Sequence, residues 1–115
     1  MNLEELSARL RKFARERDWE QFHAPKNLAM ALAVEAAELM EHFQWLTERQ
    51  SGELPPAVKE QVAAELADVF IYTVRLADRL GVDLGPAVEA KILVNAARYP
   101  VEKSRGSVKK YSQLG

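Results

Sequence analysis

Leu28-Ala-Met-Ala-Leu-Ala-Val-Glu35-Ala-Ala-Glu38-Leu-Met40 and Val62-Ala-Ala-Glu65-Leu-Ala-Asp68-Val-Phe-Ile-Tyr72 are two apolar, helix-like segments. Each carries a pair of acids three residues apart. Positions i and i+3 share a helix face, so each segment aims two carboxylates the same way out of a surface that otherwise favours burial. A buried carboxylate without a partner is costly, and four together repel one another. Antiparallel packing of the two helices would set Glu35, Glu38, Glu65 and Asp68 face to face, with something positive between them. An all-carboxylate ligand set selects a hard cation, magnesium or manganese, over zinc or copper. The bland alternative is a salt-bridge network in which Lys26, Arg75 or Lys91 neutralises the acids. A ferritin-like di-iron site wants Glu-x-x-His on two helices. The one such string, Glu20 to His23, lies in a loop, and His42 follows Glu38 at the wrong spacing.

Working outward, the reading is all-α, a four-helix-bundle-like domain of antiparallel helices spanning 1–115. Leu3, Leu6, Leu10 and Phe13 mark the apolar face of a first helix, Leu3 to Arg17, which Asn2 can cap. Asp18 to Lys26 reads as a packed loop holding Trp19, Phe22 and His23. A second helix covers Asn27 to Leu46, and Thr47 to Pro55 is a linker. Pro56 opens a third helix that Gly81 stops near Leu80. Asp83 caps a fourth, ending near Arg98 before Pro100. Residues 98–115 form a basic tail. Five bases and one acid give it +4, against −5 for the rest of the chain.

The 115 residues are 48% hydrophobic and 29% charged, with net charge −1, so no global field recruits a nucleic acid polymer or a membrane. No apolar run is free of acids for long enough to span a bilayer. There are no cysteines, and Met1-Asn2-Leu3-Glu4-Glu5 lacks the pattern of a secretion signal, so the expected compartment is cytoplasmic. Helices this apolar would be better covered by a second subunit.

Three stripes follow from the helical spacing: Glu35, Glu38, His42 and Trp45; Glu65, Asp68 and Tyr72; Lys91, Asn95 and Arg98. Acids with a metal for phosphates, followed by a flat ring for a base, are what a nucleotide needs. Trp45 and Trp19 can equally be core residues.

Arg17-Asp-Trp-Glu-Gln-Phe-His-Ala-Pro-Lys-Asn-Leu28, Glu35-Ala-Ala-Glu38 with Phe43-Gln-Trp45, Glu65-Leu-Ala-Asp68-Val-Phe-Ile-Tyr72 and Lys91-Ile-Leu-Val-Asn95-Ala-Ala-Arg98-Tyr-Pro100, in that order, resemble the all-α nucleoside triphosphate pyrophosphohydrolases of the MazG-like superfamily. Within that superfamily they look most like the dCTP pyrophosphatase branch. The resemblance runs from about Phe13 to Leu114. It implies magnesium (or manganese) on Glu35, Glu38, Glu65 and Asp68. It places Trp19, His23, Trp45 and Tyr72 around the base and sugar, and Lys91 and Asn95 at the phosphates or pocket wall. Lys26 is grouped with these substrate-binding residues. It implies hydrolysis of dCTP or a modified dCTP to monophosphate and pyrophosphate, and a homo-oligomer, often a dimer of dimers. Glu38 and Glu41 are candidates to orient the attacking water. The alternatives are another nucleotide (dUTP, a damaged triphosphate, phosphoribosyl-ATP) or a non-catalytic helical oligomerisation module.

Overall fold

In a computed structural model describing residues 1–115, the chain is helical with no strands, in two units, Met1–Val82 and Asp83–Gly115. The first holds α1 (Leu3–Glu16), a 3-10 turn (Glu20–Phe22), α2 (Pro25–Glu41), the short α3 (Glu48–Ser51) and α4 (Pro56–Leu80). α2 and α1 both pack on α4. The turn just before α2 bonds to the last turns of α4, through Arg75 and Arg79 to His23. The acids late in α2 meet Glu65, earlier in α4. The two long helices are therefore antiparallel, as the paired acids require.

The helix ends have local causes. Asn2 caps α1 by accepting from the Glu5 N–H at 3.1 Å. At the far end Asp18 takes a left-handed conformation, φ 53°. Its N–H bonds the Arg15 carbonyl, and the next N–H, that of Trp19, reaches back to Ala14 at 2.8 Å. This is a Schellman stop built on aspartate instead of glycine. It throws the Trp19 ring back against Phe13, edge-on at 5.7 Å. Asp18→Gly should therefore keep or slightly raise thermal stability, whereas Asp18→Val should lower it by about 1–2 kcal/mol in a denaturant melt. Equal stability of the two variants would contradict the motif. At the end of α4, Gly81 stops the helix at φ 69°, as its place in the sequence predicts.

The second helix is shorter than its apolar run predicts. It ends at Glu41, not Leu46, and the chain tightens into turns in which the N–H groups of His42 and Phe43 bond carbonyls three residues back. Thr47 and Gln50 then form a reciprocal capping box that starts α3 inside the expected linker. That competing nucleus pulls 42–47 out of the helix. Trp45 is consequently not on the helical stripe of Glu35 and Glu38.

Few apolar side chains are fully covered. Ala14, Leu28, Val62, Val74 and Ala77 form the buried core of the first unit. Met30, Val34 and Met40 on α2 and Leu66 and Phe70 on α4 stay exposed.

The second unit holds α5 (Leu84–Arg98), the short α6 (Val101–Ser104) and a 3-10 turn (Tyr111–Gln113). Its basic end folds back on the end of α5. Tyr111 folds back edge-on against Tyr99 at 6.1 Å, with the Arg98 guanidinium 4.5 Å above the Tyr111 ring. No helix of the chain is long and apolar enough to cross a membrane.

Candidate active site

α2 and α4 bring three of the four paired acids together. One carboxylate oxygen from each of Glu35, Glu38 and Glu65 lies within 4.8 Å of the others, all three half-buried. Glu35 and Glu65 each keep an Oε2 that is buried with no hydrogen-bond partner. Burial, then hydrogen bonds to Glu38 and Glu65, then the charges of Glu38 and Asp68 push the Glu35 carboxyl up to about 7. No ion pair relieves this. The three ion pairs are Arg11–Asp78, Arg49–Glu53 and Arg75–Asp78, and none involves the four acids. None of the three cations of the salt-bridge alternative pairs with these acids: Arg75 pairs with Asp78 one turn along α4, and Lys26 and Lys91 are exposed and form no ion pair. Orphaned, mutually repelling carboxylate oxygens fit a hard divalent cation.

A raised carboxyl changes stability with pH in a fixed direction. Glu35 starts from an ordinary value of 4.5 and rises to about 7, so its contribution to folding is complete below 4.5 and is lost as pH rises through 7. The metal-free protein should therefore melt at a lower temperature at pH 7.5 than at pH 5.5. A bound divalent ion should flatten this slope and release a proton at pH 6.5, detectable by calorimetry in buffers of different ionisation enthalpy. A pH-independent melt without metal would remove the repulsion argument.

Asp68 lies outside the tight trio and instead helps wall a cavity of about 370 Å³, a size that suits a small-molecule site. α1 contributes Leu10, Phe13 and Ala14, and α4 contributes Asp68, Ile71, Tyr72 and Arg75. The loop contributes Trp19 and His23, with ring centroids 6.4 Å apart. Asp68 thus joins an acidic cluster on one side to an aromatic slot on the other.

A hydrogen-bonded chain fixes the slot's far wall. Arg11 Nε of α1 donates to Asp78 Oδ2 at 3.0 Å, and Arg75 Nη1 donates to the same oxygen at 3.0 Å. Arg75 Nε donates to His23 Nδ1 at 3.2 Å, and Arg79 Nε donates to the His23 carbonyl at 3.1 Å. Arg75 is 3% exposed, and its Nη2 is buried without a partner. Burial and the charges of Arg75 and Arg79 push the His23 imidazole down, against the opposing charge of Glu20.

Of the other residues singled out in the sequence, Tyr72, Trp19 and His23 meet in the cavity wall. Phe22 does not pack into the loop as expected but is 59% exposed. Trp45 is 87% exposed, so it is not core in this chain. Glu41 is exposed at the end of α2 and lies outside the trio. Lys91 and Asn95 are exposed on α5. Sequence reasoning missed the role of Arg75. The available signal was Asp78 three residues on, an ion-pair spacing that offers Arg75 a partner other than the four acids.

A family model described as the MazG-like family matches residues 30–114. The chain is 48% identical over 114 residues to mouse (Mus musculus) dCTP pyrophosphatase 1, covering 97% of this chain and 67% of that protein. It is 46% identical to the human (Homo sapiens) dCTP pyrophosphatase 1 over the same shares of each chain. The crystal structure of a pyrophosphatase from Archaeoglobus fulgidus superposes with a TM-score of 0.80 at 40% identity, covering 84% of this chain and 91% of that one.

Proposed function

Because this chain belongs to the MazG-like family, we propose that it is a magnesium-dependent pyrophosphohydrolase that cleaves dCTP, or a modified dCTP, to the monophosphate and pyrophosphate. The observation that carries this reading is the trio Glu35, Glu38 and Glu65, with buried oxygens left unpartnered and no ion pair to any of the three, beside an aromatic slot. Similarity to dCTP pyrophosphatases supports the choice of base.

Glu35, Glu38, Glu65 and Asp68 would hold magnesium, or manganese in its place. The bound ion would supply neutralisation of the triphosphate's charge. The protein's own part is positioning. Trp19, His23 and Tyr72, which line one cavity with Asp68, would take the base and sugar beside the acids. Glu38 accepts a proton from the water whose oxygen bonds the α-phosphorus, as the bridge from the α-phosphorus to the β-phosphate breaks and pyrophosphate departs. Glu41 is the weaker candidate for that proton, being exposed. Lys91 and Asn95 would act at the phosphates and Trp45 at the base, with Lys26 supplementary.

The exposed Met30, Val34 and Met40 with Leu66 and Phe70 support a homo-oligomer, and the dimer of dimers is the arrangement that the family resemblance implies. A chain without cysteine suits the cytoplasm. The deciding experiment is pyrophosphate release from a panel of nucleoside triphosphates with and without magnesium. Metal-dependent release that favours dCTP or a 5-substituted analogue is the expected result. Preference for another nucleotide would move the substrate, and no release from any would leave the acids as structural.

A further inference from the structure

We propose that Arg75 is a positioning residue that holds His23 as a hydrogen-bond donor, so that the cavity recognises a ring carbonyl of the base. This rests on the nucleotide reading of the site but concerns a residue that reading does not use.

A guanidinium has only donors, and Arg75 Nε–H points at His23 Nδ1 at 3.2 Å. That nitrogen must then carry a lone pair, which places the ring proton on Nε2. His23 lines the cavity, and Nε2 has no hydrogen-bond partner in the chain, so it is the ring nitrogen left for a ligand. A group that meets an N–H there must be an acceptor. The same guanidinium buries a second unpartnered donor, Nη2. The wall's one carboxylate, Asp68, sides with the acidic cluster that raises Glu35. This end of the slot is therefore rich in donors and short of acceptors. A cytosine in this slot has two adjacent ring acceptors, N3 and the carbonyl oxygen; the carbonyl oxygen projects farther from the ring and is the group assigned to these donors.

The ring can be separated from the loop that carries it. Arg79 holds the His23 backbone carbonyl, and Arg11 alone can keep Asp78 paired. Replacing Arg75 by an apolar chain of similar length should free the imidazole to turn and change tautomer, while the loop stays anchored and no carboxylate is stranded.

The test is binding of dCMP and of 2-thio-dCMP, in which sulfur replaces the carbonyl oxygen, measured by calorimetry on the full chain. Wild type should prefer dCMP by about tenfold, the worth of one well-made hydrogen bond. Arg75→Met should reduce that preference to near unity, and Arg75→Lys, which retains one donor, should restore part of it. In turnover, Arg75→Met should raise KM far more than it lowers kcat. If Arg75→Met does not fold, nitrogen-15 NMR of the wild-type histidines decides, with His42 as the internal control. His23 should show a protonated Nε2 whose signal moves on adding dCMP and moves less with the thio analogue. An unchanged preference in Arg75→Met, or an Nε2 signal indifferent to both ligands, overturns the proposal. Turnover without this coupling would sink the Arg75 inference alone. Coupling in the absence of any turnover would sink the enzymatic reading alone.

Discussion

Glu35→Gln should lower magnesium-dependent pyrophosphate release by roughly a thousandfold, the several kcal/mol that a metal supplies to phosphoryl chemistry. The same variant should be more stable than wild type when metal is chelated. Both effects have one cause. Glu35 is the acid that feels the others most: burial, its contacts with Glu38 and Glu65, and the charges of Glu38 and Asp68 all act against its ionisation. A neutral amide removes that repulsion and offers an N–H to a neighbouring carboxylate, so the metal-free melt should rise. It also removes a ligand, so the stabilisation that magnesium confers on wild type should shrink in the variant. Thermal melts in chelator and in magnesium, run beside the release assay, read all three. Near-normal release from Glu35→Gln would show that the cluster does not hold the working ion. Glu38→Gln should be equally inactive, while Glu41→Gln should retain most of its activity, because Glu41 is exposed outside the trio.

Trp19→Ala should raise KM for the nucleotide about ten- to a hundredfold, since stacking of a base on an aromatic face contributes about 1–3 kcal/mol. Its effect on the fold should be smaller. Trp19 is 43% exposed, and its main ring contact is the edge of Phe13, an arrangement worth about 0.5–1.5 kcal/mol. Binding of magnesium alone should be unchanged, because the acids lie on the other side of Asp68. Steady-state kinetics, a metal titration and a thermal melt separate these quantities. A loss of stability as large as the loss of affinity would make Trp19 a packing residue. Trp45→Ala offers a contrast. Its side chain is almost wholly solvated in the single chain, so its removal should leave the melt of an isolated subunit unchanged. Any rise in KM would then come from contact with the nucleotide or with another subunit.

What the sequence alone determined is the part governed by short-range rules. Helical periodicity, Pro56 at a helix start, Gly81 at a helix end and Asn2 as a cap follow from backbone sterics and local hydrogen bonds, and the structure realises each of them. The Glu35/Glu38 and Glu65/Asp68 spacings place each pair on one face by helix geometry, and charge set into apolar surroundings marks that face as special. Where local signals compete, the sequence was ambiguous. The apolar run through Leu46 reads as helix, yet the Thr47–Gln50 capping box ends it early and removes Trp45 from the stripe. Only the tertiary structure decided which acids meet and which cation serves which acid. Asp68 turned toward the cavity while Glu35, Glu38 and Glu65 converged. Arg75, plausible from sequence as a counter-ion for the four acids, closed on Asp78 and His23 instead, the latter 52 residues away. Spacing along one helix cannot fix such pairings, because they depend on the rotation and register of α2 and the His23 loop against α4, which are set by packing across the whole unit.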